Sequence, residues 1–325
     1  MVDPGSLVGA LAEAGWTEYS GVPCSILEPI RAEVERGAST RYLPASVEGE
    51  AVAIGAGLWL GGRGTVVLMQ NSGLGNVVNP LASLLLPYRI PVLLVVSWRG
   101  QPGVADAVHH APMGAITPGL LDLLSVPYWI LDGSLPAGEI VAAALREMEA
   151  RRTPAALVVP RGAVAGPSRA VDGASDGREA DPGEEGCRSF GSGDPPDRAR
   201  LVEAVVAHFP EDPIVSTTGY MSRDLAAVGP RDHHFYMQGS MGFAPAIALG
   251  VSRACPGRRV VVLDGDGALI MRLGTLATVG YAAPAGFVHI VADNGCYAST
   301  GGQRTAAANT SFPRVARAPV PAPPR

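Results

Sequence analysis

The chain has 325 residues, 47% hydrophobic and 17% charged, with a formal net charge of −5. That is enough chain for two domains with well-buried cores, and too apolar a composition for intrinsic disorder. The acidic balance argues against a nucleic-acid partner, and no apolar run approaches the ~18–20 residues of a membrane span. All 25 basic residues are arginine. The missing lysine excludes pyridoxal-phosphate Schiff bases, imine-forming aldolases and lysine-dependent phosphate loops. The 4 cysteines are scattered, with neither C-x-x-C nor zinc-like spacing, and read as free thiols of a reducing compartment. Residues 1–5 lack signal-peptide character, so a cytoplasmic protein is expected. His109-His110 and His233-His234 are adjacent pairs; neighbouring side chains are expected to diverge, so neither pair suggests a metal site.

In chain order, a helix is predicted over 7–14 and a helix of small residues over 50–60. Apolar, β-branched runs over 65–69, 92–96 and 156–159 read as buried strands. Residues 166–197 are rich in Gly, Pro, Ser, Asp, Glu and Arg and read as an exposed linker. The second half repeats the plan: a helix over 201–209, a strand over 213–217, a helix within 244–251, a strand over 259–263, mostly helix over 269–281 and a strand over 287–292. Strands interleaved with helices predict parallel sheets covered on both faces, an α/β fold. The expected organisation is a domain over 1–165, the linker over 166–197, a second domain over 198–303 and a disordered tail over 304–325. The two halves show no detectable repetition in sequence.

The chemistry concentrates where strands end. Val260-Val261-Val262-Leu263-Asp264-Gly265-Asp266-Gly267-Ala268 is a buried strand running into an acidic, glycine-flanked turn before a helix. Glycines let a ligand approach the backbone, and a helix start offers free N–H groups to a phosphate. A carboxylate there repels a bare phosphate, so Asp266 makes sense with a cation between them, and Mg²⁺ prefers such oxygen ligands. Asp293-Asn294-Gly295 supplies a second oxygen donor after the next strand, at the carboxyl edge where open α/β sheets bind ligands. Singly, Asp-Gly and Asn-Gly are common turn dipeptides.

Together, Gly-Asp-Gly followed by Asn after some thirty residues resembles the Mg²⁺–diphosphate signature of thiamine-diphosphate enzymes. Gln70-Asn71-Ser72-Gly73-Leu74-Gly75-Asn76, Ser97-Trp98-Arg99-Gly100, Ser216-Thr217-Thr218-Gly219 and Asp293 to Gln303 look like the phosphonopyruvate decarboxylase family, with sulfopyruvate decarboxylases as near relatives. The resemblance runs from about Gly21 to Gln303. It implies a pyrimidine-binding domain followed by a diphosphate-binding domain, two thiamine-diphosphate-binding folds in one chain. It implies thiamine diphosphate and Mg²⁺ as cofactors, with Asp266, the Asn294 side chain and the Cys296 carbonyl as metal ligands. Gly265, Gly267 and Ala268 would border the diphosphate; Met241 would wedge between the cofactor's rings and the Gly239 carbonyl would accept from its aminopyrimidine. Glu48 would bond the pyrimidine ring nitrogen and so favour the imino form that is the cofactor's own base, leaving Glu50 exposed to solvent.

For the substrate, 3-phosphonopyruvate, Arg99 and Arg223 are the expected anion-binding side chains, since Arg suits bidentate contact with carboxylate and phosphonate. His110 is the expected proton donor, and Ser25 lies on a turn that can line the pocket. Ala107 and Val108 depart from the acidic, polar stretch usual in the family. The implied reaction is decarboxylation to phosphonoacetaldehyde and CO₂ in phosphonate natural-product biosynthesis. The implied assembly is a homo-oligomer with active sites between subunits, without nucleic-acid or membrane partners. Sulfopyruvate decarboxylase, or a non-catalytic chain of the same fold, are the alternatives. At Arg304 the family pattern gives way to a low-complexity tail, which raises the expectation of a shifted or shortened reading frame and an incomplete second sheet.

Overall fold

The computed structural model describes residues 1–166 and 196–316. The linker expected over 166–197 and the end of the expected tail, 317–325, therefore lie almost entirely outside the described residues. A parallel six-stranded sheet forms the first domain, with strands β1 (Glu18–Gly21), β2 (Arg41–Pro44), β3 (Thr65–Gln70), β4 (Leu93–Trp98), β5 (Tyr128–Ile130) and β6 (Ala155–Pro160) in the order β2-β1-β3-β4-β6-β5. The central strands β3, β4 and β6 are buried along almost their whole length, as continuous Val/Leu runs require. Helices α1 (Pro4–Glu13), α2 (Glu28–Arg36), α3 (Glu48–Leu60), α4 (Leu74–Pro80), α5 (Ala111–Leu123) and α6 (Ala137–Arg151) connect them. The start of α1 shows its local cause: Asp3 accepts from the Ser6 amide and Pro4 occupies the first turn.

The second domain contains α7 (Arg198–His208), β7 (Ile214–Ser216), α8 (Tyr220–Ala227), β8 (His234–Tyr236), α9 (Ala244–Ala254), β9 (Val260–Gly265), α10 (Asp266–Met271), α11 (Thr275–Ala282) and β10 (Phe287–Ala292). Its parallel sheet has the order β10-β9-β7-β8. Reversed, β8-β7-β9-β10 is the order of the first four strands of the first sheet, a repeat of topology that the sequence does not reveal. The mostly helical stretch expected over 269–281 is made of two helices, separated at Arg272, whose φ of −136° ends α10.

The tail expected from Arg304 is corrected over its described part. A small antiparallel pair joins β11 (Cys296–Tyr297) to β12 (Gln303–Arg304), and a short 3₁₀ turn and α12 (Phe312–Ala316) follow. Among the described residues, no helix is long and apolar enough to cross a membrane.

One core cluster spans both domains, centred on α3 and α9. Every residue of α3 from Gly49 to Leu58 is buried, as is most of α9. A helix apolar on all sides must be enclosed on all sides. Here small residues let the two backbones touch: a Cβ on Gly57 would stand 1.9 Å from the Ile247 carbonyl oxygen, and one on Gly250 2.1 Å from that of Ile54. The helices run side by side with their N-termini together, since Gly49 meets Phe243 at one end and Gly61 meets Ala254 at the other. Tyr88 also bridges the domains, donating to the Tyr236 carbonyl and accepting from the Gln238 amide, and Arg253 pairs with Glu18 at 2.9 Å.

Candidate active site

Glu48 is the first residue of α3, after β2, and lies half-buried against the turn that follows β3. A Cβ at Gly73 would stand 2.4 Å from Glu48 Cγ, so only glycine admits the side chain there. Asn76 Nδ2 donates to Glu48 Oε2 at 2.7 Å and fixes one carboxylate oxygen. Glu50 does not reach solvent, contrary to expectation: it is 0% exposed. Its Oε2 accepts from the Ser46 amide, the Ser46 hydroxyl and, from α11 of the other domain, the Thr278 hydroxyl at 3.1 Å, while Oε1 has no partner. The physical reason is the enclosure of α3, which turns Glu50 toward Ser46 and α11 while Glu48 keeps a partly open face.

The neighbouring strand ends of the first sheet carry the other expected polar residues. Asn71, just past β3, donates to the Arg99 carbonyl at 2.8 Å and accepts from the Arg99 amide at 3.1 Å. The Arg99 guanidinium, expected free for substrate, is instead committed to its own loop. It grips Asp106 through two bonds of 2.8 and 2.7 Å, and Asp106 also accepts from the Gly100 and Ala107 amides. That set of donors, led by the guanidinium, holds the Asp106 carboxyl well below the usual carboxylate range. His110 follows on the same loop, its imidazole pulled below the ordinary value by partial desolvation and then by the Arg99 charge. The His109 and His110 rings do not diverge: their centroids are 4.0 Å apart, and those of His233 and His234 are 4.7 Å apart. Ser25 is exposed on the turn after β1, beside Cys24, whose buried thiol lies 3.1 Å from Ser97 Oγ.

Residues 239–243 enter α9 from β8. Gly239 lines a cleft of about 430 Å³ with Ala82, Ser83, Tyr88 and Gln238. Ser240 holds the left-handed φ of 56° that few side chains adopt, secured by a 2.7 Å bond to Ser83 of the first domain. Ser83 itself sits in a one-turn π-helix, Leu81–Leu85, a feature frequent at functional sites. Met241 is half-buried, Gly242 has φ of 91°, and the Phe243 ring packs where a Cβ on Gly49 would be. The segment expected under the cofactor and the helix carrying Glu48 are thus neighbours within one chain, where the resemblance implies two subunits. A second cleft, about 390 Å³, is lined by Gly219, Ser222, Arg223, Tyr236 and Gln238; Arg223 is exposed there over the Tyr220 ring.

At the carboxyl edge of the second sheet, Asp266 is 3% exposed and pairs with no cation among the described residues. Among the described residues its side chain has one polar partner, the Thr305 hydroxyl. Thr305 also donates its amide to the Gly295 carbonyl at 2.9 Å, so it ties Asp266 to the loop that bears Asn294 and Cys296. Asn294 Oδ1 accepts from the Cys296 amide at 3.1 Å, which leaves its second lone pair free. The Tyr297 ring fills the space over Gly267, and Ser299 lies over Gly219. Gly265 faces open space, Ala268 is buried, and the Thr217 hydroxyl just past β7 is buried without a partner among the described residues.

Two features fit a diphosphate bridged by a hard divalent cation: a buried carboxylate lacking a counter-charge, and an orphaned hydroxyl one strand away. No cluster of three His, Cys, Asp or Glu exists among the described residues, so the donor set is one of mixed oxygens rather than a zinc site. Sequence reasoning missed Thr305 and Tyr297, the former because it lies in the stretch read as patternless.

A family model described as the thiamine pyrophosphate enzyme C-terminal TPP-binding domain matches residues 214–323, beyond the point at Gln303 where the resemblance was expected to stop. Phosphonopyruvate decarboxylase of Streptomyces viridochromogenes is 43% identical over 325 residues, spanning 98% of this chain and 80% of that protein. Sulfopyruvate decarboxylase of Methanosarcina acetivorans is 33% identical over 268 residues, spanning 80% of this chain and 68% of that one. Among solved structures, benzoylformate decarboxylase from Polynucleobacter necessarius superposes with a TM-score of 0.63 at 11% identity, covering 91% of this chain and 86% of that one, a likeness of fold.

Proposed function

The chain belongs to the phosphonopyruvate decarboxylase family of thiamine-diphosphate-dependent carboxy-lyases, and from that premise we propose that it converts 3-phosphonopyruvate to phosphonoacetaldehyde and CO₂. The observation that supports the proposal is the contact of Gly49, next to Glu48, with Phe243, and of Gly242 with the helix that the uncompensated Asp266 carboxylate begins. Thiamine diphosphate, when bound, supplies the electron sink that loss of CO₂ from a 2-oxo acid requires.

The remaining roles fall to this chain's own side chains. Asp266, Asn294 and the Cys296 carbonyl would hold Mg²⁺. Gly265, Gly267 and Ala268 would border the diphosphate. The Gly239 carbonyl and Met241 would receive the pyrimidine end. Glu48, oriented by Asn76, would hold a proton at the pyrimidine ring nitrogen. His110 would deliver a proton to the reacting carbon, and its lowered affinity for protons makes its charged form the stronger acid. Arg99 would hold the His110 loop in place through Asp106 rather than bind substrate. Arg223 and Ser25 would face the 2-oxo acid from the two domains. A homo-oligomer is also part of the reading.

The reaction fits a phosphonate biosynthetic sequence. Irreversible loss of CO₂ would draw forward the unfavourable step that forms the phosphorus–carbon bond. The test is phosphonoacetaldehyde formation by the purified chain with and without thiamine diphosphate and Mg²⁺, with sulfopyruvate and pyruvate in parallel. Cofactor-dependent product with preference for the phosphonate supports the reading. Preference for sulfopyruvate, or no turnover of any 2-oxo acid by folded protein, refutes it.

A further inference from the structure

An anionic chain that binds a substrate with both a carboxylate and a phosphonate needs a cation without a carboxylate partner at the site. Arg99 does not qualify, because Asp106 neutralises it, and Arg223 is exposed at the rim. Arg272 differs from both. It forms no ion pair among the described residues, is only half-exposed, and buries its Nε–H with no acceptor. Buried donors left without a partner are uncommon in native folds and call for an explanation.

Its position supplies one. Arg272 occupies the break between α10 and α11, where its stem packs against Gly242: a Cβ there would stand 2.8 Å from Arg272 Cγ. The guanidinium carbon lies 4.8 Å from the centre of the Phe243 ring. The Cζ tip of that ring fills the space over Gly49, next to Glu48. Arg272 therefore sits on the same aromatic platform that joins Met241 to Glu48. Asp266 begins α10 and Arg272 follows its last residue, so the two lie roughly 9 Å apart along the helix at about 1.5 Å per residue. The cation is thus set away from the carboxylate that would take the metal and diphosphate.

We infer that Arg272 binds the phosphonate group of the 2-oxo acid, its guanidinium fork closing on two phosphonate oxygens while Phe243 holds the plane of the fork. The inference rests on the decarboxylase reading above and extends it to the residue that selects the substrate's second anion. A planar five-donor fork matches a dianionic oxyanion better than an ammonium would, and stacking on an aromatic face preserves its orientation.

The test is calorimetric binding of 3-phosphonopropionate, which carries both anionic groups but no keto carbon, to the chain loaded with thiamine diphosphate and Mg²⁺. Arg272→Gln is expected to raise the Kd for 3-phosphonopropionate on the order of 100-fold, the usual cost of removing one member of a desolvated charge pair. Arg272→Lys is expected to recover part of that loss, and the affinity for thiamine diphosphate is expected to stay within about twofold in both variants, since on the same reading the diphosphate would lie at the other end of the helix. An unchanged Kd for 3-phosphonopropionate overturns the assignment, as does an equal loss of cofactor affinity. A wild-type chain that binds the analogue but does not decarboxylate 3-phosphonopyruvate overturns the functional reading alone, and the comparison of variants still decides the role of Arg272.

Discussion

Gly57→Ala tests the joint between the two domains. In an exposed helix this change stabilises by about 1 kcal/mol, because alanine loses less backbone entropy on folding. At Gly57 the new Cβ would stand 1.9 Å from the Ile247 carbonyl oxygen, about 1.5 Å inside ordinary contact. That oxygen belongs to a helical backbone and cannot rotate away, and the Gly250 Cα lies 2.9 Å from the same point. The helices must part at their crossing, and the buried residues on either side lose contact. Overpacking of this kind costs roughly 1–3 kcal/mol, and a backbone obstacle places it at the upper end. Offset by the gain in helix propensity, the net expectation is a loss of about 2 kcal/mol. Gly9→Ala in α1 is the control, since nothing lies within 4 Å of its Cβ position, and it is expected to stabilise by up to about 1 kcal/mol. Urea denaturation of the two variants against wild type measures both. The second readout is the apparent Kd for thiamine diphosphate, because the same crossing sets Glu48 beside residues 239–243. Parallel shifts of the two midpoints would show that the α3–α9 contact is not as close as described.

Three further outcomes are expected. His234 is buried among His233, Arg231 and Tyr236, and its imidazole is pulled down to about 4, chiefly by desolvation. The folded state then binds fewer protons than the unfolded one, whose histidine titrates near 6.5, so this contribution is fully present above about pH 6.5 and falls by roughly 3 kcal/mol as pH drops toward 4. His234→Gln should flatten that part of a pH series of urea melts; an unchanged slope refutes it. Glu50→Ala strands the Ser46 and Thr278 donors and should cost about 2–3 kcal/mol, and a double-mutant cycle with Thr278→Val should show coupling above about 0.5 kcal/mol. Additive losses would mean that the cross-domain bond carries no energy. Asp266→Asn should weaken Mg²⁺-dependent binding of thiamine diphosphate by on the order of 100-fold, at least as much as loss of an outer-shell metal partner, while leaving the thermal transition cooperative. Tryptophan fluorescence titration checks this, and a wild-type affinity would remove Asp266 from the metal site.

The buried strands β3, β4 and β6 were legible in the sequence because continuous Val/Leu runs have few other places to go, and the half-buried edge strand β10 matches the expected residues 287–292 end to end. The acidic glycine turn after β9 was legible for a similar reason: a chain seldom places a carboxylate at the end of a buried strand without a partner for its charge. Short elements such as β5 and β8, three residues each, carry too little pattern to be read. Nor does any local signal say which charges find each other. Arg99 and Asp106 pair because the loop over 99–106 folds back on itself where Asn71 holds its start, and Glu50 is buried because a second domain closes over α3. The two halves share a strand order but no visible sequence repeat, since topology depends on which strands pair, and many sequences satisfy the same pairing. The alternation of strands and helices thus sufficed for the fold class, and the resemblance of the motifs for the thiamine-diphosphate cofactor. The partners of Arg99, Glu50 and Thr305, and the place of Arg272 over Phe243, came only from packing, because long-range contacts are set by how enclosed elements meet and not by the residues adjacent in the chain.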